Sequence, residues 1–195
     1  MRVALGLGSN APDAYAHLTT ALARLAETLG PLRVGGLYRT APIVRPTSDP
    51  ALRDQPDFLN TAAVADLSCD AWTPDRLLIT AKALERAAGR CRGPRDGPRP
   101  LDVDLLLWGD TRRADPADAS ASWLALPHPA LAQRRFALAP LADVAPTWSM
   151  PSTGRTVAAH LAALPAAADD RVELLAWRTD RPIPDVTFVA IGATT

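Results

Sequence analysis

Hydrophobic and polar residues alternate from Arg2 to Leu7, the pattern of a half-buried strand, and the run closes on Gly6-Leu7-Gly8-Ser9-Asn10. That predicts a strand meeting a glycine turn. The period then changes: Leu18, Leu22, Leu25 and Leu29 recur at helical spacing, with Pro12 in the predicted first turn and Gly30 as the stop. Val34 to Ile43 predicts a second strand ending at Pro42, and Val44 to Pro56 a long loop rich in Pro, Asp and Arg. Asp57 to Leu67 alternates well enough for a third strand. Thr73 as N-cap, with Pro74 at the first helical position, opens a second helix expected to reach about Ala88. Leu77, Ala81, Leu84 and Ala88 are its expected inward positions, and Gly89 its stop. After an arginine-rich loop, the apolar run Leu105-Leu106-Leu107-Trp108 completes a fourth strand. The order β-α-β-β-α-β predicts an α+β, ferredoxin-like sandwich, an antiparallel sheet with two helices on one face. Its other face, and the loops above it, are left for a ligand.

Beyond that unit the pattern weakens. Residues 109–122 predict a polar connector, and Trp123 to Pro129 returns to apolar character with His128 held between two prolines. Arg134-Arg135-Phe136 adds two cations and a ring, Phe136 to Leu141 is packing material, and Val157 to Leu164 predicts a short amphipathic helix with His160 on its surface. His17, on the first helix, is assigned to the surface or boundary. From about Pro165 an Ala- and Asp-rich linker leads to two strand-like runs, Arg171 to Trp177 and Val186 to Ile191. A hairpin, an added sheet edge and a partner contact all fit them. Residues 1–164 are therefore expected to form one domain and 165–195 a C-terminal extension of unassigned role.

Composition narrows the function. At 195 residues and 48% hydrophobic content there is enough apolar material for a single core. The formal net charge of +0 leaves no global basic field for nucleic acid. No apolar run approaches the ~18 residues of a membrane span, so no membrane partner is expected. Two cysteines without a partner motif suit a reducing cytoplasm. Nothing in the sequence assigns an oligomeric state. Lys82 is the one lysine among 21 basic residues, so arginine must make nearly every cationic contact. Because Lys82 follows no glycine-rich loop, a phosphate-binding P-loop is excluded. Gly6, Gly8 and Ala11 match the letters of a dinucleotide fingerprint. The acid expected ~20 positions on should end a second parallel strand, however, and Glu27 falls inside the first helix instead.

The chemistry concentrates between Arg90 and Asp104. Arg90, Arg92, Arg95 and Arg99 share a loop with two glycines and three prolines, and Asp102 and Asp104 follow on a strand. Residues two apart on a strand point the same way, about 7 Å apart. Paired carboxylates suit Mg²⁺ completed by substrate phosphates, and arginine forks suit phosphate oxygens. Side by side they suit a polyphosphate. Glu85, one turn before Arg90, is either an orienting ion-pair partner or a ligand contact. Asn60 either bonds local backbone or reads an amide-like ligand edge, and Phe58 is either core or a stacking platform. A metal-dependent nuclease and a non-catalytic nucleotide-binding module are the competing readings, the nuclease disfavoured by the neutral charge.

At Leu7-Gly8-Ser9-Asn10, Tyr38-Arg39-Thr40-Ala41-Pro42, Gln55 to Asn60, Leu84-Glu85 through Gly89-Arg90, Gly97 to Asp104, and Leu126 to Pro129 with Arg134 and Phe136, the chain resembles the 6-hydroxymethyl-7,8-dihydropterin pyrophosphokinase family. The resemblance spans roughly residues 2–164, and the family fold is the ferredoxin-like sandwich expected above. It implies transfer of a pyrophosphoryl group from ATP to the pterin hydroxymethyl oxygen in folate biosynthesis. It implies Asp102 and Asp104 as ligands of two Mg²⁺ ions, and Arg90 and Arg99 as cations serving the transition state. By the same resemblance Lys82, Glu85, Arg92, Arg95, Arg99, Leu105, Ala125, His128 and Arg134 lie at ATP. Thr40, Ile43, Phe58, Asn60, Asp102 and Phe136 lie at the pterin. The chain departs from the family pattern at Asp96, where a tryptophan is common, and in its longer loop at 44–56.

Overall fold

The computed structural model describes residues 1–68, 70–91, 93–94, 96–113, 124–165, 171–177 and 182–191. Arg92 and Arg95 of the arginine loop, Cys69, Trp123, most of the connector and part of the linker lie outside the described residues. In chain order the elements are β1 (Arg2–Ser9), α1 (Ala14–Leu29), β2 (Leu32–Val34), β3 (Leu37–Thr40), β4 (Phe58–Asp66), α2 (Pro74–Ala87), β5 (Asp102–Trp108), α3 (Arg135–Val144), α4 (Val157–Ala163), β6 (Val172–Leu175) and β7 (Val186–Phe188). The sheet runs β5-β1-β4-β2, each pair antiparallel, which is the ferredoxin-like order.

Three expectations need correction. The run Val34 to Ile43 is two strands, not one, broken at Gly35-Gly36, and the second ends at Thr40. The break has a packing cause: a Cβ on Gly35 would lie 2.1 Å from the Pro140 carbonyl oxygen of α3. Asp143 on the same helix then accepts from Gly36 N–H and from the Tyr38 hydroxyl, both at 2.9 Å. Second, Pro12 precedes the first helix, which begins at Ala14. Third, the sheet's second face is not open. α1 and α2 cover one face through Leu18, Leu22, Leu25 and Leu77 packed on Val3, Leu5 and Val103. α3 and α4 cover much of the other, where Leu138, Leu141 and Val157 meet Ala4, Ala62, Val64 and Leu106. Both faces of β1 are buried, so its alternation marks side-chain direction without marking a solvent side.

α2 starts as expected, with the Thr73 hydroxyl accepting from Arg76 N–H and Pro74 at the first turn, but it turns Leu77, Ala81 and Glu85 fully inward while Leu84 and Ala88 are half-buried. His160 is buried instead of surface-exposed, its Nε2 2.7 Å from the Thr153 hydroxyl. It lies three residues after buried Val157 and therefore on the same helix face. The last two strands are sheet edges, not a hairpin: β6 pairs antiparallel with β3, and β7 parallel with β2. No described helix is long and apolar enough to cross a membrane.

Candidate active site

Strand register builds the site. Across β4, β1 and β5, Asn60 pairs with Gly8 and Gly8 with Asp102, while Gly6 pairs with Asp104. On β3, Tyr38 pairs with Asn60 and Thr40 with Phe58. Alternation puts Phe58, Asn60, Asp102 and Asp104 on the face that α3 covers, at the end where α3 begins with Arg135 and Phe136. A cavity of about 630 Å³ opens there. Gly6 and Gly8 thus lie inside an extended strand and not in a turn, and their role is clearance. The Asn60 amide donates to the Thr40 hydroxyl at 2.7 Å, and a Cβ on Gly8 would lie 2.5 Å from Asn60 Oδ1. Gly8→Ala must therefore push a buried amide off its partner. The expected outcome is a folded protein with weakened binding on the Asn60 side, about tenfold for one lost buried hydrogen bond with its geometry, measured by ligand titration.

Charge is arranged around Asp102. Its carboxylate accepts from the guanidinium groups of Arg90 and Arg99 through separate oxygens. Burial pushes this carboxyl up, but Arg99 and Arg90 beside it, with Lys82, outweigh burial and hold it below its usual range. Behind this layer Glu85 is 3% exposed, and its Oε1 receives Lys82 Nζ at 2.7 Å, Val103 N–H at 2.8 Å and Arg90 at 2.8 Å. Burial raises the Glu85 carboxyl above its ordinary value despite these partners. Glu85 is therefore the anchor that aims Lys82 and Arg90, and it does not line the cavity. His128 Nε2 lies 3.9 Å from Asp104 Oδ2, and its Nδ1 accepts from Ala130 N–H. Burial lowers the His128 pKa, with Asp104 opposing, so the ring is neutral at pH 7. The Arg134 guanidinium sits 5.6 Å from the Phe136 ring centre.

Two loops frame the mouth, joined by Asn10 and Asp96, neither of them among the expected catalytic, ATP, pterin or metal residues. Asn10 accepts from Arg99 N–H at 2.7 Å and donates to Gln55 Oε1 at 2.9 Å and to the Pro56 carbonyl at 3.2 Å. Asp96 accepts from the Arg45 backbone N–H at 3.2 Å, from its guanidinium, and from the Ser48 hydroxyl at 2.7 Å. The signal was an acid inside a run of arginines. Arg45 holds the Asp96 carboxyl far below the usual carboxylate range. A depressed carboxyl stabilises the fold above its unfolded pKa of about 3.9 and loses that contribution only in stronger acid. The latch is thus expected to be unchanged between pH 5 and 9, whereas Asp96→Ala should speed protease cleavage within residues 44–56 several-fold at all those pH values.

The cavity collects Arg90, Arg99, Asp102, Asp104, Lys82, Leu105, Ala125, His128 and Arg134, together with Thr40, Ile43, Phe58, Asn60 and Phe136. Of the residues singled out in the sequence, Glu85 stands behind the wall, and Arg92 and Arg95 lie outside the described residues. Residues 4–146 match the sequence profile of the 7,8-dihydro-6-hydroxymethylpterin-pyrophosphokinase (HPPK) family. The chain belongs to this family. A Methylorubrum extorquens protein named 2-amino-4-hydroxy-6-hydroxymethyldihydropteridine pyrophosphokinase is 39% identical over 175 residues, 88% of this chain and 99% of that one. A Synechocystis protein of the same name is 36% identical over 155 residues, 78% of this chain and 71% of that one. Among solved structures, wild-type Plasmodium falciparum HPPK-DHPS superposes with a TM-score of 0.60 at 14% identity, over 83% of this chain and 44% of that one. That likeness speaks for the fold alone, and this chain spans less than half of the Plasmodium chain.

The donor set suits magnesium. Asp102 and Asp104 share one face, and among the described residues no group of three acidic, His or Cys side chains forms a protein-only cage. Two carboxylates facing a cavity lined with guanidinium groups fit a hard cation that substrate phosphates complete.

Proposed function

We propose that this HPPK-family chain transfers the β,γ-pyrophosphoryl group of ATP to the hydroxymethyl oxygen of 6-hydroxymethyl-7,8-dihydropterin, releasing AMP, with Mg²⁺ held at Asp102 and Asp104. One observation carries the reading. The carboxylate pair lines one cavity with an amide-and-ring wall (Thr40, Phe58, Asn60, Phe136) and a wall of cations and neutral imidazole (Lys82, Arg99, Arg134, His128), and strand register sets Asn60 across Gly8 from Asp102. The first wall suits a flat heterocycle with an amide-like edge, stacked between Phe58 and Phe136. The second suits a triphosphate and its nucleoside. The hydroxymethyl oxygen of a heterocycle seated on the first wall faces a phosphate chain held on the second.

In the reaction the hydroxymethyl oxygen forms a bond to the β-phosphorus, the bond from that phosphorus to the α-bridging oxygen breaks, AMP leaves and the hydroxyl proton is released. Such transfers ask the protein for in-line placement and charge neutralisation, not a covalent nucleophile. Mg²⁺, when bound, supplies Lewis-acid neutralisation of phosphate oxygens. The chain's own residues do the rest. Arg90 and Arg99, which grip Asp102 in the structure, are positioned to turn to phosphate oxygens when a cation takes their place. Neutral His128, its Nδ1 accepting from Ala130 N–H, carries its proton on Nε2 and donates a hydrogen bond from there without adding charge. Asp102, held low, is a poor proton acceptor, so no general base is assigned.

AMP formation tests the reading directly. Release of AMP from ATP must require both the pterin and Mg²⁺. AMP formed without the pterin, nucleic acid cleaved in its place, or ATP bound with no product in the presence of both overturns it.

A further inference from the structure

The segment after α4 reaches the cavity rim. β6 pairs Val172 with Thr40 and Glu173 with Arg39, and Arg39 and Glu173 also form an ion pair at 3.2 Å. Arg171, just before β6, stands where β3 and β4 both run into the cavity. Its carbonyl accepts from Ala41 N–H at 3.2 Å, one residue past Thr40. Its guanidinium donates to both carboxylate oxygens of Asp57 at 2.7 Å, one residue before Phe58. A single residue therefore holds the chain on both sides of the Thr40–Phe58 pair.

This clamp is mounted on something rigid. The Trp177 indole donates to the Gly35 carbonyl at 2.9 Å, with its ring 4.6 Å from Phe188 and 5.8 Å from Tyr15. Without β6, β3 would be a four-residue edge strand with one ladder only, and short edge strands fray at the low end of local stability. The end of β3 carries Thr40, the acceptor that orients Asn60.

We propose that Arg171 is a positioning residue for the heterocycle side of the cavity, setting the spacing of Thr40 and Phe58, so that the C-terminal segment forms part of the substrate site. The inference rests on the reading that this wall receives the pterin. The test is steady-state kinetics on the full chain, varying pterin at saturating ATP and ATP at saturating pterin, with melting temperatures alongside. Arg171→Ala should raise the pterin KM about three- to fivefold, the scale of a partly exposed ion pair, with kcat, ATP KM and melting temperature nearly unchanged. Asp57→Ala should do the same, the double variant no more than either alone, and Arg171→Lys should stay near wild type. A pterin KM unmoved in Arg171→Ala, or pterin and ATP KM rising together with a lower melting temperature, overturns the clamp. Phe58→Ala separates the two levels of the claim. If it raises the pterin KM while Arg171→Ala does not, the clamp alone fails; if it leaves the pterin KM unchanged, the assignment of this wall fails and the clamp with it.

Discussion

Asp104→Asn lowers kcat by about a thousandfold or more and leaves the fold intact. The two halves of that expectation come from different parts of the structure. The Asp104 side chain is 35% exposed, and among the described residues its one charge-pair contact is His128 at 3.9 Å, with a neutral ring. Folding therefore gains little from its charge, since a contact at this distance to a neutral ring contributes well under about 1 kcal/mol. On the proposed reading Asp104 is a ligand of the cation, and removing that carboxylate weakens stabilisation of charge in the transition state. One lost electrostatic contact of that kind is worth ~10²–10³ in rate, and a displaced ion adds to it. Asp102→Asn should lose at least as much activity, and it should also lower the melting temperature. Its carboxylate neutralises both Arg90 and Arg99, so its removal leaves Arg99 beside Arg90 and Lys82, which then share Glu85. The sign follows from its depressed pKa: the folded state favours the ionised form, so this contribution is present above about pH 4 and fades in stronger acid. A pair of variants with matched loss of kcat but unmatched stability, measured by turnover and thermal melting, distinguishes catalytic ligands from structural carboxylates.

Arg99→Ala is the second large effect, about a hundredfold in kcat, with Arg99→Lys recovering part of it. Arg99 has its backbone fixed from outside its own loop. Its N–H donates to Asn10 Oδ1 at 2.7 Å, and its carbonyl accepts from Asn10 N–H at 3.1 Å. The main chain is thus pinned to the end of β1 while the side chain can leave Asp102 for a phosphate. Alanine removes the charge without releasing the pin, so most of the loss falls on turnover, with a smaller loss of stability because one Asp102 oxygen loses its partner. Lysine restores a point charge but not the planar fork, hence the partial recovery. Asn10→Ala should act in the reverse order, loosening both loops, with a lower melting temperature and raised KM for both substrates.

Much of this was legible in the sequence, and the reasons differ by element. α1 and α2 were legible because their leucine spacing, the Thr73–Pro74 start and the glycine stops are local signals. β5 was legible because Asp102 and Asp104 alternate with Leu101 and Val103, and the structure sets those two pairs on opposite faces. The break at Gly35-Gly36 was not, because its cause is the Pro140 carbonyl more than a hundred residues away. In the sequence Gly6 and Gly8 read as a turn, because glycine marks turns far more often than it clears space within a strand. Their function shows only when Asn60 is placed opposite Gly8. In the sequence His160 reads as a surface residue because a short helix exposes one face, and the partner that makes burial tolerable, Thr153, lies off the helix. The latch through Asp96 and the junction at Asn10 depend on two loops meeting, which no period or spacing encodes. Several candidate site residues come together because they sit at strand ends, where register sets Asn60, Gly8 and Asp102 in one row and pairs Thr40 with Phe58 two residues along.

The central claim is that Asp102 and Asp104 hold cations against a polyphosphate, with Arg90 and Arg99 released to the phosphate oxygens. Anomalous diffraction from crystals grown with Mn²⁺ and a non-hydrolysable ATP analogue measures it most directly. The account predicts two peaks between the two carboxylates and the phosphate chain, with the guanidinium groups of Arg90 and Arg99 turned away from Asp102. Nucleotide bound in the cavity with no peak beside either aspartate, and Asp102 still paired with both arginines, contradicts it.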